Sequence, residues 1–447
     1  MKRRNPKHQT PNAPGSHVSF ATRVNASLFF FRPNRKIFFS RDFESRLAWN
    51  LKLGISLVLG VWSLEFSSAL ADDWPQWRGP NRNGISGETN LNWQWPKDGP
   101  KVLWRATVGA GHSQIAVVGN RTFTLGNKSN EDTVYCLDAS TSVIIWKHTY
   151  PCLAGQYAGP RATPTVEGNR VFTLSRDGRA FCFDSVTGAI AWEHKFTAES
   201  GAIIPKWGFA GSPLIVGDLV LYNVASAGAA LDKKTGKHVW RSPSGIASYA
   251  SPVAFPLEKQ QLVAIFPSSG LVAVHPVDGR KLWEVPWSWN DPYQVNVADP
   301  IFVDDTVFIS SDYKRGSALL KISSAEKPTA LYERRTMQNH INTCILLDGY
   351  LYGNDIGRLT CIELKTGNVQ WQQRGFGKGG LILASGKLIA LAEDGHLVIA
   401  EASPQNYKEI ARAKILDGTC YTPPSLANGR LYLRNNNGDI VCLDLKQ

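Results

Sequence analysis

Methionine occurs only twice in the 447 residues, and the seven cysteines contain neither an adjacent pair nor a Cys-x-x-Cys spacing. This excludes a thioredoxin-type redox centre and a thiolate metal finger. Gly-x-Ser-x-Gly, His-Glu-x-x-His and EF-hand loops are missing as well. The hydrolase elbow, the zinc-protease helix and the calcium loop are thereby excluded. Gly375-Phe376-Gly377-Lys378-Gly379-Gly380 lacks the spacing and trailing Ser/Thr of a phosphate-cradling loop. The net charge of +12 is concentrated in the leader. Residues 1–71 hold 11 Lys/Arg against 3 Asp/Glu, leaving 38 against 34 for the rest. With no basic helix, finger spacing or single-strand-binding signature, no nucleic-acid partner is expected.

Long apolar runs are also scarce. After Lys52 the stretch Leu53–Leu64 carries no charge, but its 12 residues fall short of the about 20 that a spanning helix needs. Its length suits the apolar region of a secretory signal, and Ala69-Leu70-Ala71 offers a small-x-small cleavage site. Export to the periplasm or beyond, with cleavage after Ala71 and no membrane span afterwards, is therefore expected. Residues 1–71 form a basic extension with a signal peptide. Residues 72–100 form an arm rich in Trp, Pro and Gly, and residues 101–447 the body. The arm opens Trp74-Pro75-Gln76-Trp77-Arg78-Gly79-Pro80-Asn81 and adds Trp93 and Trp95. Four indoles in one short segment predict packing against the body.

The body is organised by a repeat. Cys182-Phe183-Asp184, Thr187-Gly188 and Trp192 set its spacing, which returns at Ala230-Leu231-Asp232, Thr235-Gly236, Trp240 and at Cys361-Ile362-Glu363, Thr366-Gly367, Trp371. Cys136-Leu137-Asp138 with Trp146, and Ala273-Val274-His275 with Gly279 and Trp283, are variants. The acid can bond backbone two residues on and the glycine can take a positive φ, so the group reads as a hairpin turn. A tryptophan at fixed distance must dock on a neighbouring copy, and the small Ala or Cys slot is the expected receptor. Cys136, Cys182, Cys361 and Cys442 share that slot with Ala230 and Ala273, so they read as packing residues.

Eight tryptophan-type strands can be counted, with Tyr332 and Ile410 in two degenerate copies. Residues 101–447 divided among eight copies give about 43 each, within the four-stranded blade period of roughly 40–45. The fold class is all-β: an eight-bladed β-propeller of four-stranded blades. The chain opens on a lone tryptophan-type strand, Val102-Leu103-Trp104, and stops after Ile440–Leu445 without one. The N-terminal strand is therefore expected to complete the last blade, leaving no free edge.

The small-x-Asp-x-x-Thr-Gly-x-x-x-Trp layout resembles the tryptophan-docking repeat of the pyrroloquinoline-quinone (PQQ) propellers. That superfamily includes quinoprotein alcohol dehydrogenases and the BamB-like assembly factors of the outer membrane. The Trp-Pro-Gln-Trp-Arg-Gly-Pro-Asn opening is similar to secreted PQQ-like repeat proteins. The resemblance implies, as one possibility, PQQ with calcium and a PQQ-dependent dehydrogenase. The adjacent Cys-Cys of those enzymes is absent, however, and no acid-plus-Asn calcium pair can be placed. The leading expectation is a non-catalytic ligand-binding or scaffold module, with an outer-membrane assembly factor as a further alternative.

Repetition also locates the site. Residues just ahead of each inner strand converge on one mouth of the central channel: His112, Arg161, Trp207, Tyr249, Asp299, His340 and Lys378. Phe209, Asn296, Asn342 and Tyr421 belong to the same groups. Fixed charge from Arg161 and Lys378, flat surface from Trp207 and Tyr249, and His112 and His340 as groups that titrate near neutrality suit a small anionic or sugar ligand. An acidic peptide from a protein partner suits the same ring. A monomer is expected.

Overall fold

The computed structural model describes residues 73–199, 202–288 and 295–446. The signal segment and its cleavage site lie outside the described residues. Eight antiparallel sheets follow one another along the chain: 116–151, 165–195, 214–241, 253–286, 301–334, 345–374, 380–414, and 425–444 with 102–107. They are called blades 1 to 8 here. In blade 8 the N-terminal strand Val102–Thr107 pairs with Asp439–Asp444, with Trp104 opposite Cys442. The one short helix among the described residues is Phe196–Glu199. No described helix is long and apolar enough to cross a membrane.

The repeat motif forms the outer hairpin of each blade. Asp184 Oδ1 accepts the backbone N–H of Val186 and Thr187 and the Thr187 hydroxyl, at 2.8–3.0 Å. Gly188 takes φ 73° and donates to the Asp184 carbonyl at 2.9 Å. Asp232 and Thr235 repeat the arrangement.

The tryptophans dock differently from the sequence expectation. Each small residue is the cross-strand partner of the tryptophan in its own blade, as in Cys182↔Trp192 and Ala230↔Trp240. The indole itself reaches the turn of the next blade. Trp146 Nε1 donates to Ser185 O, Trp192 to Lys233 O and Trp240 to Pro276 O. The ring lies against the turn glycine so closely that a Cβ at Gly188 would sit 2.6 Å from Trp146. Glycine is thus required for approach as well as for φ. In the degenerate fifth blade Tyr332 keeps the bond through its hydroxyl, to Leu364 O at 2.8 Å. Trp283 faces that same blade, where Lys321 stands in the acid position, and its N–H has no partner among the described residues. Because the ring of Trp192 is 7 % exposed, Trp192→Ala is expected to cost about 3–5 kcal/mol. Chemical unfolding checks this, and an unchanged midpoint would show that docking carries no stability.

The seven cysteines are all free and buried. His194, on the tryptophan strand of blade 2, is 6 % exposed and packs on Phe196.

Asp132 is fully buried in blade 1. Burial pushes its carboxyl up to about 6, against the bond from Asn127. The folded state therefore prefers the neutral acid. The resulting stability is complete below the ordinary carboxylate value and is lost as pH rises toward 6, about 3 kcal/mol for some two units. Asp132→Asn should flatten that part of the stability–pH curve, measured as Tm between pH 4 and 7. A curve parallel to the wild type would contradict the assignment.

The N-terminal arm plugs the axial channel and touches every blade. Trp74 exchanges backbone bonds with Val117 (2.8 Å each), and Pro75 O accepts from Val166 N. Arg82 donates to Pro213 O and Pro252 O. Trp77 Nε1 donates to Asp299 Oδ2 at 2.7 Å, and Arg78 Nη2 to Cys344 O at 2.7 Å. Ile85–Ser86 adds a parallel strand to Leu383–Ala384, and Glu88 accepts from Gly429 N. The channel is closed from below, and what remains above Trp77 is a blind cavity.

Candidate functional site

The cavity has a volume of about 270 Å³ and sits on the axis, at the end where the chain runs into the inner strands. His112, Arg161, Trp207, Tyr249, Asp299, His340 and Lys378 all line it, with Asn342 and Tyr421. Phe209 and Asn296, grouped with them from the sequence, do not. Phe209 is in the core beside Phe172, and Asn296 is fully buried, donating to Pro267 O. Trp77, Tyr157 and Tyr313 line the cavity without having been identified from the sequence. Trp77 comes from the arm, which has no repeat partner to give its phase. Tyr157 and Tyr313 sit in inter-strand loops that differ from blade to blade.

Aromatic rings form much of the wall. Trp207 lies 5.8 Å from Tyr249 and 6.5 Å from Tyr157, centroid to centroid, and the Trp207 backbone N donates to the Tyr249 hydroxyl at 3.1 Å. His112 stacks on Tyr421 at 6.1 Å and 17°. On the opposite side His340 packs at 5.2 Å from Tyr313, and its Nδ1 is hydrogen-bonded to Asp312.

The electrostatics are lopsided. The Arg161 guanidinium donates to two backbone carbonyls, Gly159 O at 3.1 Å and Tyr157 O at 2.9 Å, and meets no carboxylate within ion-pair distance among the described residues. Burial, then the field of Arg176, lowers it to about 10, so it remains a cation at neutrality. Lys378 has no ion-pair partner among the described residues. Its backbone N–H binds Glu393 Oε2 at 2.7 Å. Beneath the floor two buried guanidiniums, Arg78 and Arg82, share the single carboxylate of Asp299. Burial raises Asp299, and the two arginines only partly oppose it. Burial also pushes Asp312 upward, but the bonds from His340 and Tyr313 N with the nearby Lys378 outweigh it and hold the acid below its usual range.

His112 corrects the sequence reading. Burial, then Arg161 and Arg434, pull its imidazolium down to about 3. It stays neutral through the physiological range and is not a switch near pH 7.

The comparisons with known proteins agree on the architecture. The family described as outer membrane protein assembly factor BamB matches over residues 96–204 and 154–373. BamB from Moraxella catarrhalis superposes with a TM-score of 0.59 at 18% identity, covering 77% of this chain and 99% of BamB. Quinohemoprotein alcohol dehydrogenase from Comamonas testosteroni gives 0.62 at 14% identity, covering 84% and 81%. Among curated proteins, tetrathionate hydrolase of Acidithiobacillus ferrooxidans is 27% identical over 228 residues, 48% of this chain. The match spans 44% of that hydrolase, less than half its length.

Proposed function

Because this chain belongs to the BamB-like family of PQQ-repeat β-propellers, we propose that it is an exported binding propeller, acting as a monomer, whose axial cavity takes a small anion with a flat apolar face. The observation that carries this reading is two cations, Arg161 and Lys378, with no carboxylate at ion-pair distance among the described residues, in a blind cavity walled by Trp207, Tyr249 and Tyr421. A cation in a partly desolvated wall gains more from an arriving anion than it would in bulk water. Tetrathionate, the substrate in the curated relative's name, is a dianion and accords with that charge.

A quinone held with calcium fits less well. Among the described residues no three of His, Cys, Asp and Glu gather as a metal site requires. The nearby carboxylates are also committed: Asp299 to Trp77 and Ser251 N, Asp312 to His340, Glu393 to Lys378 N. Calcium needs six to eight oxygen ligands, so no redox step follows from this donor set. A second reading, a scaffold for a protein partner, is favoured by Leu153, Ile203, Ile204 and Ile246, which stand exposed in the loops leading into blades 2 to 4.

Calorimetric titration of the purified protein with PQQ, tetrathionate and D-galacturonate, each with and without calcium, tests the anion reading. At least one is expected to bind with unit stoichiometry and no calcium requirement. Binding of none of the three, or only with calcium, would overturn it.

A further inference from the structure

The loops that wall one side of the cavity also carry a group of exposed apolar side chains. Tyr157 lines the cavity and is 59 % exposed, so it stands at the mouth. Leu153 lies just ahead of it, and its carbonyl accepts from Arg176 Nη1 at 2.9 Å. The Arg176 side chain also touches the next loop, where a Cβ at Gly208 would sit 2.7 Å from Arg176 Cβ. In that loop Ile203 and Ile204 precede Trp207, and Ile203 forms a parallel bridge with Ile246, shortly ahead of Tyr249. Leu153, Ile203, Ile204 and Ile246 are 47–76 % exposed. Three loops are thus tied side by side, each lending an aromatic ring to the cavity and holding aliphatic side chains outside it.

Apolar side chains grouped in this way mark a contact surface, and the cavity beside them limits what can cover it. The cavity is blind, because Trp77 closes its floor through the bond to Asp299. Its volume of about 270 Å³, at the small end of ligand pockets, admits one residue and not a chain that turns and leaves. A polypeptide can enter only by an end. An amino terminus would bring like charge to Arg161 and Lys378, whereas a carboxyl terminus brings an anion. A fatty acid has the same head group. The apolar groups of the rim, however, are separate side chains on three loops, with polar backbone between them. The spaced side chains of an extended peptide match that pattern, and a continuous acyl chain does not.

We propose that the ligand is the carboxyl terminus of a partner polypeptide whose last residues are apolar. The proposal rests on the anion-binding reading and names the source of the anion. The terminal carboxylate meets Arg161 and Lys378, and the last side chain lies on Trp207 or Tyr249. Residues upstream cover Leu153, Ile203, Ile204 and Ile246 on the rim.

Four probes separate these contributions in titrations of the purified protein: acetyl-Leu-Ser-Leu-Phe, its carboxyl-terminal amide, N-acetylphenylalanine and octanoate. The free-acid peptide is expected to bind about tenfold tighter, or more, than each of the others. Leu153→Ser combined with Ile204→Ser changes only exposed side chains. It should bring the peptide to within about threefold of N-acetylphenylalanine, with N-acetylphenylalanine itself unaffected. If N-acetylphenylalanine equals the peptide in the wild type, or the double serine variant keeps full peptide affinity, the proposal fails while the anion reading stands. If octanoate equals the peptide, the ligand is an acyl chain and the proposal fails. It fails too if the amide equals the acid or if the peptide does not bind. In those last two cases PQQ and tetrathionate still decide the anion reading.

Discussion

Replacing Arg161 and Lys378 together by alanine is expected to abolish anion binding and to lower Tm by only a few degrees. Both side chains line the one cavity, and neither is paired with a carboxylate among the described residues. Charge-assisted contacts contribute about 1.5–3 kcal/mol each, so losing both weakens binding by roughly 10²–10⁴-fold. Folding loses much less. Arg161 gives up two bonds to carbonyls, about 1 kcal/mol apiece, and a chain of this size loses about 2 °C per kcal/mol. Titration and thermal unfolding of the same preparation read both quantities. Retained affinity would show that the cations do not hold the ligand. A collapse of Tm would show that they hold the fold instead.

The second large effect concerns the seam where the ring closes on itself. Arg434, in blade 8, is 1 % exposed. Its Nη1 donates to Ser113 O, Thr124 Oγ1 and Leu125 O at 2.8–2.9 Å, and Nη2 reaches Gly109 O at 3.3 Å. Burial lowers it to about 10, so its desolvation costs about 3 kcal/mol. Arg434→Met takes the guanidinium from four acceptors, of which Ser113 O and Thr124 Oγ1 keep only their 3.4 Å bond to each other, at up to about 1–3 kcal/mol each. The acceptors outweigh the recovered desolvation, and a net loss of about 3 kcal/mol is expected. The loss should be local, with hydrogen exchange rising first in 102–128 and 425–444. A neutral Arg434→Met, or exchange rising equally in all blades, would contradict this role.

Much of the fold was legible because eight copies repeat one set of local rules. The Asp-x-x-Thr-Gly turn, the tryptophan at fixed distance and the period of about 43 residues each point to a four-stranded blade. The site was legible for the same reason, since repetition aims equivalent segments at the axis, and His112, Arg161, Trp207, Tyr249, Asp299, His340 and Lys378 line one cavity. What the repeat does not encode could not be read. The arm has no internal copy, so the descent of Trp77 into the channel depends on tertiary contacts, its own with Asp299 and that of Arg78 with Cys344. The receptor of each indole is set by how blades stack, and periodicity alone could not distinguish the glycine of the next turn from the small residue across the strand. The neutral state of His112 is likewise a property of burial and of two arginines distant in sequence.

We propose that the axial cavity holds an anion by charge at Arg161 and Lys378 and by an aromatic wall. Anomalous diffraction from crystals soaked in 4-bromobenzoate tests it most directly. The predicted result is a bromine peak inside the cavity against Trp207 or Tyr249, with the carboxylate directed to Arg161 or Lys378, and its loss in the double alanine variant. Bromine found only on the outer faces of the blades, or a cavity peak that persists in the double variant, would contradict it.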